Sequence, residues 1–100
     1  MKNNLTIIIP THERQTLLIR SIKYYEKLNY NIIIVDSSDT KLIYSFKKNF
    51  LYFNYPNCGF NLKIYKILNY IKTDFVSFSP DDDYLVNDFL IHSINILSKN

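Results

Sequence analysis

Asp81, Asp82 and Asp83 are the densest run of like charge in the sequence. Close carboxylates repel one another by on the order of a kcal/mol per pair at protein-surface dielectric, unless a cation or strong donors neutralise them. A divalent ion is the simplest neutraliser. With no Cys or His cluster nearby, oxygen-only ligands suit Mg2+ or Mn2+, which usually share their coordination with substrate phosphates. The other polar residues equipped for chemistry fall in two short segments, Pro10, Thr11, His12 and Arg14, then Asp36 and Asp39. Each segment follows a short apolar run, as the triplet does. A nucleoside diphosphate accompanied by a metal ion fits such a set.

The elements that must position these residues alternate between solid apolar runs and stripes of helical period, the pattern of strands and helices around a parallel sheet. Leu5 to Ile9 reads as a strand buried on both faces. Thr11 or His12 can cap a helix from about Glu13 to Leu28 with the stripe Leu18, Ile22, Tyr25 and Leu28, and Asn29 can stop it. Asn31 to Val35 repeats the buried-strand pattern and ends at Asp36, and Ser37 to Thr40 supply turn chemistry. A short helix is predicted from Lys41 to about Asn49, then a strand over Leu51 to Phe53. A turn over Asn54 to Gly59 and a helix from about Asn61 to Ile71 follow. The fourth strand, Phe75 to Ser79, runs into Pro80 and the triplet, and a last helix covers roughly Asn87 to Leu97. The predicted fold is therefore α/β, a Rossmann-like, mostly parallel sheet of about four strands with flanking helices. In such a sheet ligands bind at the carboxyl ends of the strands, where all three polar segments fall.

Composition narrows the function classes. A chain of 100 residues is one domain at most and buries about 60 to 65% of its unfolded surface. With 47% hydrophobic and 21% charged residues, it should fold. The net charge of +3 comes from scattered residues, with only Lys47 and Lys48 adjacent, so no basic stripe grips a phosphate backbone and nucleic acid is not an expected partner. Cys58 is the sole cysteine, which rules out an intrachain disulfide and favours a reducing, cytoplasmic setting, with peripheral attachment at the inner face of the membrane as the variant. The apolar run before Pro10 is too short for a signal peptide or a membrane span.

Three stretches together carry a family resemblance: Leu5 to Arg14 (LTIIIPTHER), Ile32 to Asp36 (IIIVD) and Phe75 to Leu90 (FVSFSPDDDYLVNDFL). They resemble the first strand and its Pro-Thr loop, the second strand with its terminal Asp, and the Asp-x-Asp region of family 2 glycosyltransferases with the GT-A fold. The likeness spans nearly the whole chain, as the amino-terminal, donor-binding portion of such an enzyme. It implies transfer of a sugar from a nucleoside diphosphate donor of UDP or GDP type to a glycan, lipid or protein acceptor, with Mn2+ or Mg2+ at the diphosphate and inversion at the anomeric carbon. By position, Pro10 and Thr11 would lie against the nucleoside and Asp36 would bond the base. Asp81 and Asp82 would meet ribose and diphosphate, Asp81 and Asp83 the metal, and Arg14 would be a secondary contact. Relatives usually serve polysaccharide or glycolipid assembly.

The sequence also departs from the family. Asp36 is followed by Ser37 and Ser38 where a second acid is usual, and the commonest alignment puts the first acid of Asp-x-Asp on Pro80. A shift of one residue makes Asp81 and Asp83 the pair. Family members continue with an acceptor site and a catalytic carboxylate, and no residue here corresponds to that base. The chain reads as truncated, a fragment or one piece of a split enzyme, and a catalytically inactive nucleotide-binding or interaction module is the alternative function.

Plainer roles stand beside these. The triplet could be a solvated turn capping the next helix, Asp36 could cap the Ser37 to Thr40 turn, and Asp39 is read as a cap. His12 is left out of the site as a lone loop histidine, and Arg14 and Lys63 could be surface residues or phosphate contacts. His92 and Cys58 read as packing or surface residues, and the nine Tyr and seven Phe as core, with Tyr84 open to sugar stacking. A receiver-like phosphotransfer domain would need acids after the first strand, where Pro10 and Thr11 stand. A dinucleotide fold would need glycines there, but the single Gly is Gly59.

Overall fold

The computed structural model describes residues 4–79. They form strand β1 (Leu5–Thr11), helix α1 (Gln15–Tyr25), β2 (Asn31–Asp36), β3 (Phe50–Asn54), α2 (Phe60–Ile67) and β4 (Phe75–Phe78). All strand pairs are parallel, in the order β3-β2-β1-β4, so the fold is Rossmann-like α/β.

The central position of β1 explains its composition. Ile7, Ile8 and Ile9 are fully buried because successive side chains enter opposite faces of the sheet and both faces are covered. On one face Ile7 and Ile9 join Ile32 and Ile34 of β2 and meet Leu18, Ile22 and Tyr25, which recur along α1 at helical spacing. On the other, Ile8, Ile33 and Val35 meet Ile67 of α2, with Ile64 and Ile71 alongside. Pro10 closes the ladder between β1 and β4, while β1 runs on beside β2 to Thr11: the pairing with β4 ends at Ile8 and Phe78, Ser79 N–H donates to Ile8 C=O at 2.9 Å, and Pro10 has no N–H with which to extend that ladder.

The helices are shorter than their apolar stripes predict. Glu13 has φ 53°, a left-handed conformation no helical residue adopts, so α1 starts after Arg14, whose carbonyl accepts Leu18 N–H at 2.9 Å. Thr11 and His12 therefore do not cap it. At the far end, Leu28 N–H bonds Tyr25 C=O at 3.0 Å, a tightened i to i+3 turn in place of continued helix. The stretch predicted as one helix to Ile71 divides into α2 and a single 3-10 turn, Leu68–Tyr70. In the loop before α2 the left-handed residue is Asn57 (φ 56°), while Gly59 is extended.

The predicted helix from Lys41 to Asn49 does not form. Residues 41–47 carry no regular structure, and their exposure alternates, Leu42, Tyr44 and Phe46 turning inward between Lys41, Ile43, Ser45 and Lys47. A helix would splay those three inward residues around its axis; an extended path sets them together against the sheet. Phe46 stacks on Tyr52 at 5.2 Å, Leu42 N–H donates to the Tyr52 hydroxyl at 2.9 Å, and the Tyr44 hydroxyl donates to Glu26 at 3.0 Å. Tertiary packing outweighs the weak local preference.

The predicted helix from Asn87 to Leu97, and Pro80 with the aspartate triplet, lie outside the described residues. No helix among the described residues is long and apolar enough to cross a membrane.

Truncating Ile34, fully buried in β2, to alanine is expected to lower stability by about 2–5 kcal/mol through lost burial and a residual cavity. Ile43→Ala, at an 88% exposed position, should change it by less than about 0.5 kcal/mol. Urea unfolding followed by circular dichroism checks both.

Candidate strand-end site

Three chain segments meet at the carboxyl edge of the sheet. Thr11, the last residue of β1, pairs with Asp36, the last of β2, so the loops that follow leave the sheet side by side. β4 flanks β1 on its other side and carries the chain to Ser79, which is buried with its Oγ 2.8 Å from the Tyr25 hydroxyl. Asp81 follows two residues later in sequence, outside the described residues. From β1 the chain proceeds to β2 and β3, then returns to β4 on the opposite side, so the strand order reverses between β1 and β4. Ligand crevices of open parallel sheets form at such reversals.

The loop after β2 is organised by Asp36. Its carboxylate is buried, and Oδ1 accepts both the backbone N–H of Ser38 at 2.9 Å and the Ser38 hydroxyl at 2.6 Å. Oδ2 accepts the Tyr52 hydroxyl at 2.6 Å. Burial and then this bond to a carboxylate raise the Tyr52 pKa above the ordinary tyrosine value, so the hydroxyl stays protonated and donates. The structure thus gives Asp36 the local capping role. A carboxylate has about four lone-pair sites and three are filled here, so a base contact by Asp36 would use its remaining capacity.

A second set of bonds knits this loop to the one after β1. Ser37 N–H donates to Thr11 C=O at 3.0 Å, and Gln15 Nε2 donates to Thr40 C=O at 3.2 Å. Glu13 N–H donates to Ser38 Oγ at 2.6 Å, and the Glu13 carboxylate accepts Asp39 N–H at 2.8 Å. These last two bonds hold Glu13 in its left-handed conformation, which costs a non-glycine residue on the order of 1 kcal/mol or more. Asp39 contributes a backbone donor, and its side chain is exposed.

Of the residues proposed from sequence, Pro10 is half-buried in β1, Thr11 is buried beside Asp36, and Arg14 is exposed at the start of α1. The structure brings Thr11 and Asp36 together. Asp81, Asp82 and Asp83 lie outside the described residues. Among the described residues no three His, Cys, Asp or Glu side chains converge as a metal site, so an ion at this edge would depend on the triplet.

Lys63 is the residue that sequence reasoning undervalued. It is 5% exposed, and its ammonium donates to Thr11 C=O at 3.1 Å and to Ser37 Oγ at 3.2 Å. Its spacing was the signal, because Lys63 stands one helical turn before Ile67, the most deeply buried residue of α2. His12, also passed over, places Nδ1 2.9 Å from Ser37 Oγ. Hollows elsewhere carry less chemistry: one of about 200 Å³ lies at the amino ends of the strands beside Thr6 and Asn31, and one of about 350 Å³ lies between Ile43 and Tyr52.

No family model matches this chain, and no curated protein matches it.

Tyr52→Phe leaves a buried carboxylate oxygen and the Leu42 N–H without their hydroxyl partner, an expected loss of about 1–3 kcal/mol in urea unfolding at pH 8. Because the folded-state pKa of Tyr52 is raised, the unfolded chain gives up this proton first. The stability it carries is intact below the ordinary tyrosine pKa of 10.0 and is lost as pH rises beyond it. Tyr30, Tyr44 and Tyr55 shift the same way, so wild-type stability should fall above pH 10.0 and Tyr52→Phe should fall less steeply. Unfolding midpoints at pH 8 and pH 11 compare the two.

Proposed function

We propose that this chain is the donor-binding portion of a metal-dependent glycosyltransferase of GT-A type, acting on a UDP- or GDP-linked sugar. The observation that carries the reading is the placement of β1 between β2 and β4. It sets Pro10 and Thr11 beside Asp36, on a sheet edge where β4 delivers the chain towards Asp81, Asp82 and Asp83. Sequence separates Thr11, Asp36 and Ser79 by tens of residues, and the strand order brings the ends of β1, β2 and β4 to one edge, at a reversal point of the kind where ligands of open parallel sheets bind.

On this reading Thr11 and Pro10 form the floor under the nucleoside, and Asp36 shapes the neighbouring loop through Ser38 and Tyr52. Asp81 and Asp83 would hold Mn2+ or Mg2+, which when bound supplies positive charge to a departing diphosphate. Arg14, exposed at the head of α1, is placed to add a secondary contact. The base that deprotonates an acceptor hydroxyl belongs to none of the residues named here. The proposed partners are the sugar donor and a glycan, lipid or protein acceptor, in the cytoplasm or at the inner membrane face.

Calorimetric titration of UDP and of GDP, with Mn2+ and then with EDTA, tests the reading. Metal-dependent binding of one nucleotide, lost in the Asp81→Asn, Asp83→Asn double variant, is the expected result. A chain folded by circular dichroism that binds neither nucleotide would overturn it in favour of an inactive interaction module.

A further inference from the structure

Lys63, Ser37 and His12 form a hydrogen-bonded chain from the underside of the sheet edge to its surface. The donors and acceptors can be counted. Thr11 C=O has two lone pairs, which accept Ser37 N–H at 3.0 Å and Lys63 Nζ at 3.1 Å. The Ser37 hydroxyl lies 3.4 Å from that filled carbonyl but 2.9 Å from His12 Nδ1, and its oxygen accepts a proton from Lys63 at 3.2 Å. An ammonium has donors only, so at Ser37 it can bind only the oxygen. The Ser37 proton is then directed to His12 Nδ1. A neutral imidazole that accepts at Nδ1 carries its proton on Nε2. His12 is exposed, whereas Lys63 and Ser37 are buried.

We infer that Lys63 is a positioning residue that acts through Ser37 to fix His12 as the Nε2–H tautomer, making His12 a single hydrogen-bond donor to an anionic nucleotide at the carboxyl edge. The buried ammonium polarises the serine hydroxyl, and hydrogen bonds in series strengthen one another in a low-dielectric setting. The tautomer assignment rests on the geometry alone; the choice of ligand rests on the donor-binding reading above.

Two measurements separate those halves. Long-range 15N–1H correlation spectra of histidine-labelled chain, recorded well above the imidazole titration range and assigned with His12→Gln, report the tautomer directly. Wild type should show His12 fully protonated at Nε2, while Ser37→Ala and Lys63→Met should each shift it towards the tautomer mixture of free imidazole. A wild-type His12 protonated at Nδ1, or already averaged as in free imidazole, overturns the relay. Should Lys63→Met fail to fold, Ser37→Ala and the wild-type spectrum still decide it. In titrations of UDP and GDP with Mn2+, His12→Phe should weaken binding on the order of tenfold, with His12→Gln, which keeps an N–H donor, recovering most of the loss. Equal affinity of His12→Phe and wild type overturns the ligand contact. Binding of neither nucleotide by wild type overturns that contact along with the donor-binding reading, while the spectra judge the relay independently.

Discussion

The carboxylate of Asp36 is the constraint around which the carboxyl edge is built. A buried carboxylate is tolerated only where donors replace its water, and here Ser38 supplies two and Tyr52 a third. Each of those donors fixes something else. Ser38 is held in the turn that meets Glu13, and Tyr52 reaches back to Leu42, which anchors the extended segment 41–47. The backbone carbonyl of Asp36 takes part as well, accepting Tyr55 N–H at 2.8 Å and the Asn54 amide at 3.2 Å, so β3 and its exit are tied to the same residue. Among the described residues no buried side-chain polar atom lacks a partner, as a low-dielectric interior requires.

Below this polar rim the faces of the hydrogen-bonded sheet are covered mainly by apolar contact. The isoleucines of β1 and β2 feed both faces, and one helix covers each. The two layers are unequal. The α1 side gathers Leu18, Ile22, Tyr25 and Tyr30 with the extended segment, whereas α2 has Ile67 as its one fully buried apolar side chain and leaves Phe60, Leu62 and Tyr65 outward. Lys63 compensates on the thinner side by anchoring α2 through hydrogen bonds to the end of β1 and to the residue that follows β2.

Most of the framework was legible from residue patterns. β1 and β2 read clearly because their runs are short, rich in β-branched residues and stopped near Pro10 and Asp36, which favours strands over buried helix, and α1 and α2 because their stripes match helical period. The segment 41–47 misled because Lys41-Leu42-Ile43 opens like a helical turn; the inward set Leu42, Tyr44 and Phe46 has a period of two, which Ile43 disguises. At the edge, the nearness of Thr11 and Asp36 followed from parallel strands. The engagement of Asp36 by Tyr52 could not be read, because it joins residues of separate strands through side-chain length and direction. The same holds for Lys63, whose burial depends on where α2 crosses the sheet.

The strand order also sets the sequence of events in folding. β1 meets β2 after a short excursion, but its other neighbour is remote: Leu5 pairs with Phe75, seventy residues further on. Closing so long a loop is entropically expensive and tends to come late. On a ribosome adding about 5–20 residues per second, the central strand emerges first yet stays open on one side for seconds, until β4 is made. Its Ile-rich ladder is for that interval an unsatisfied template, and Pro10, which cannot donate to an incoming strand, blunts it at one end.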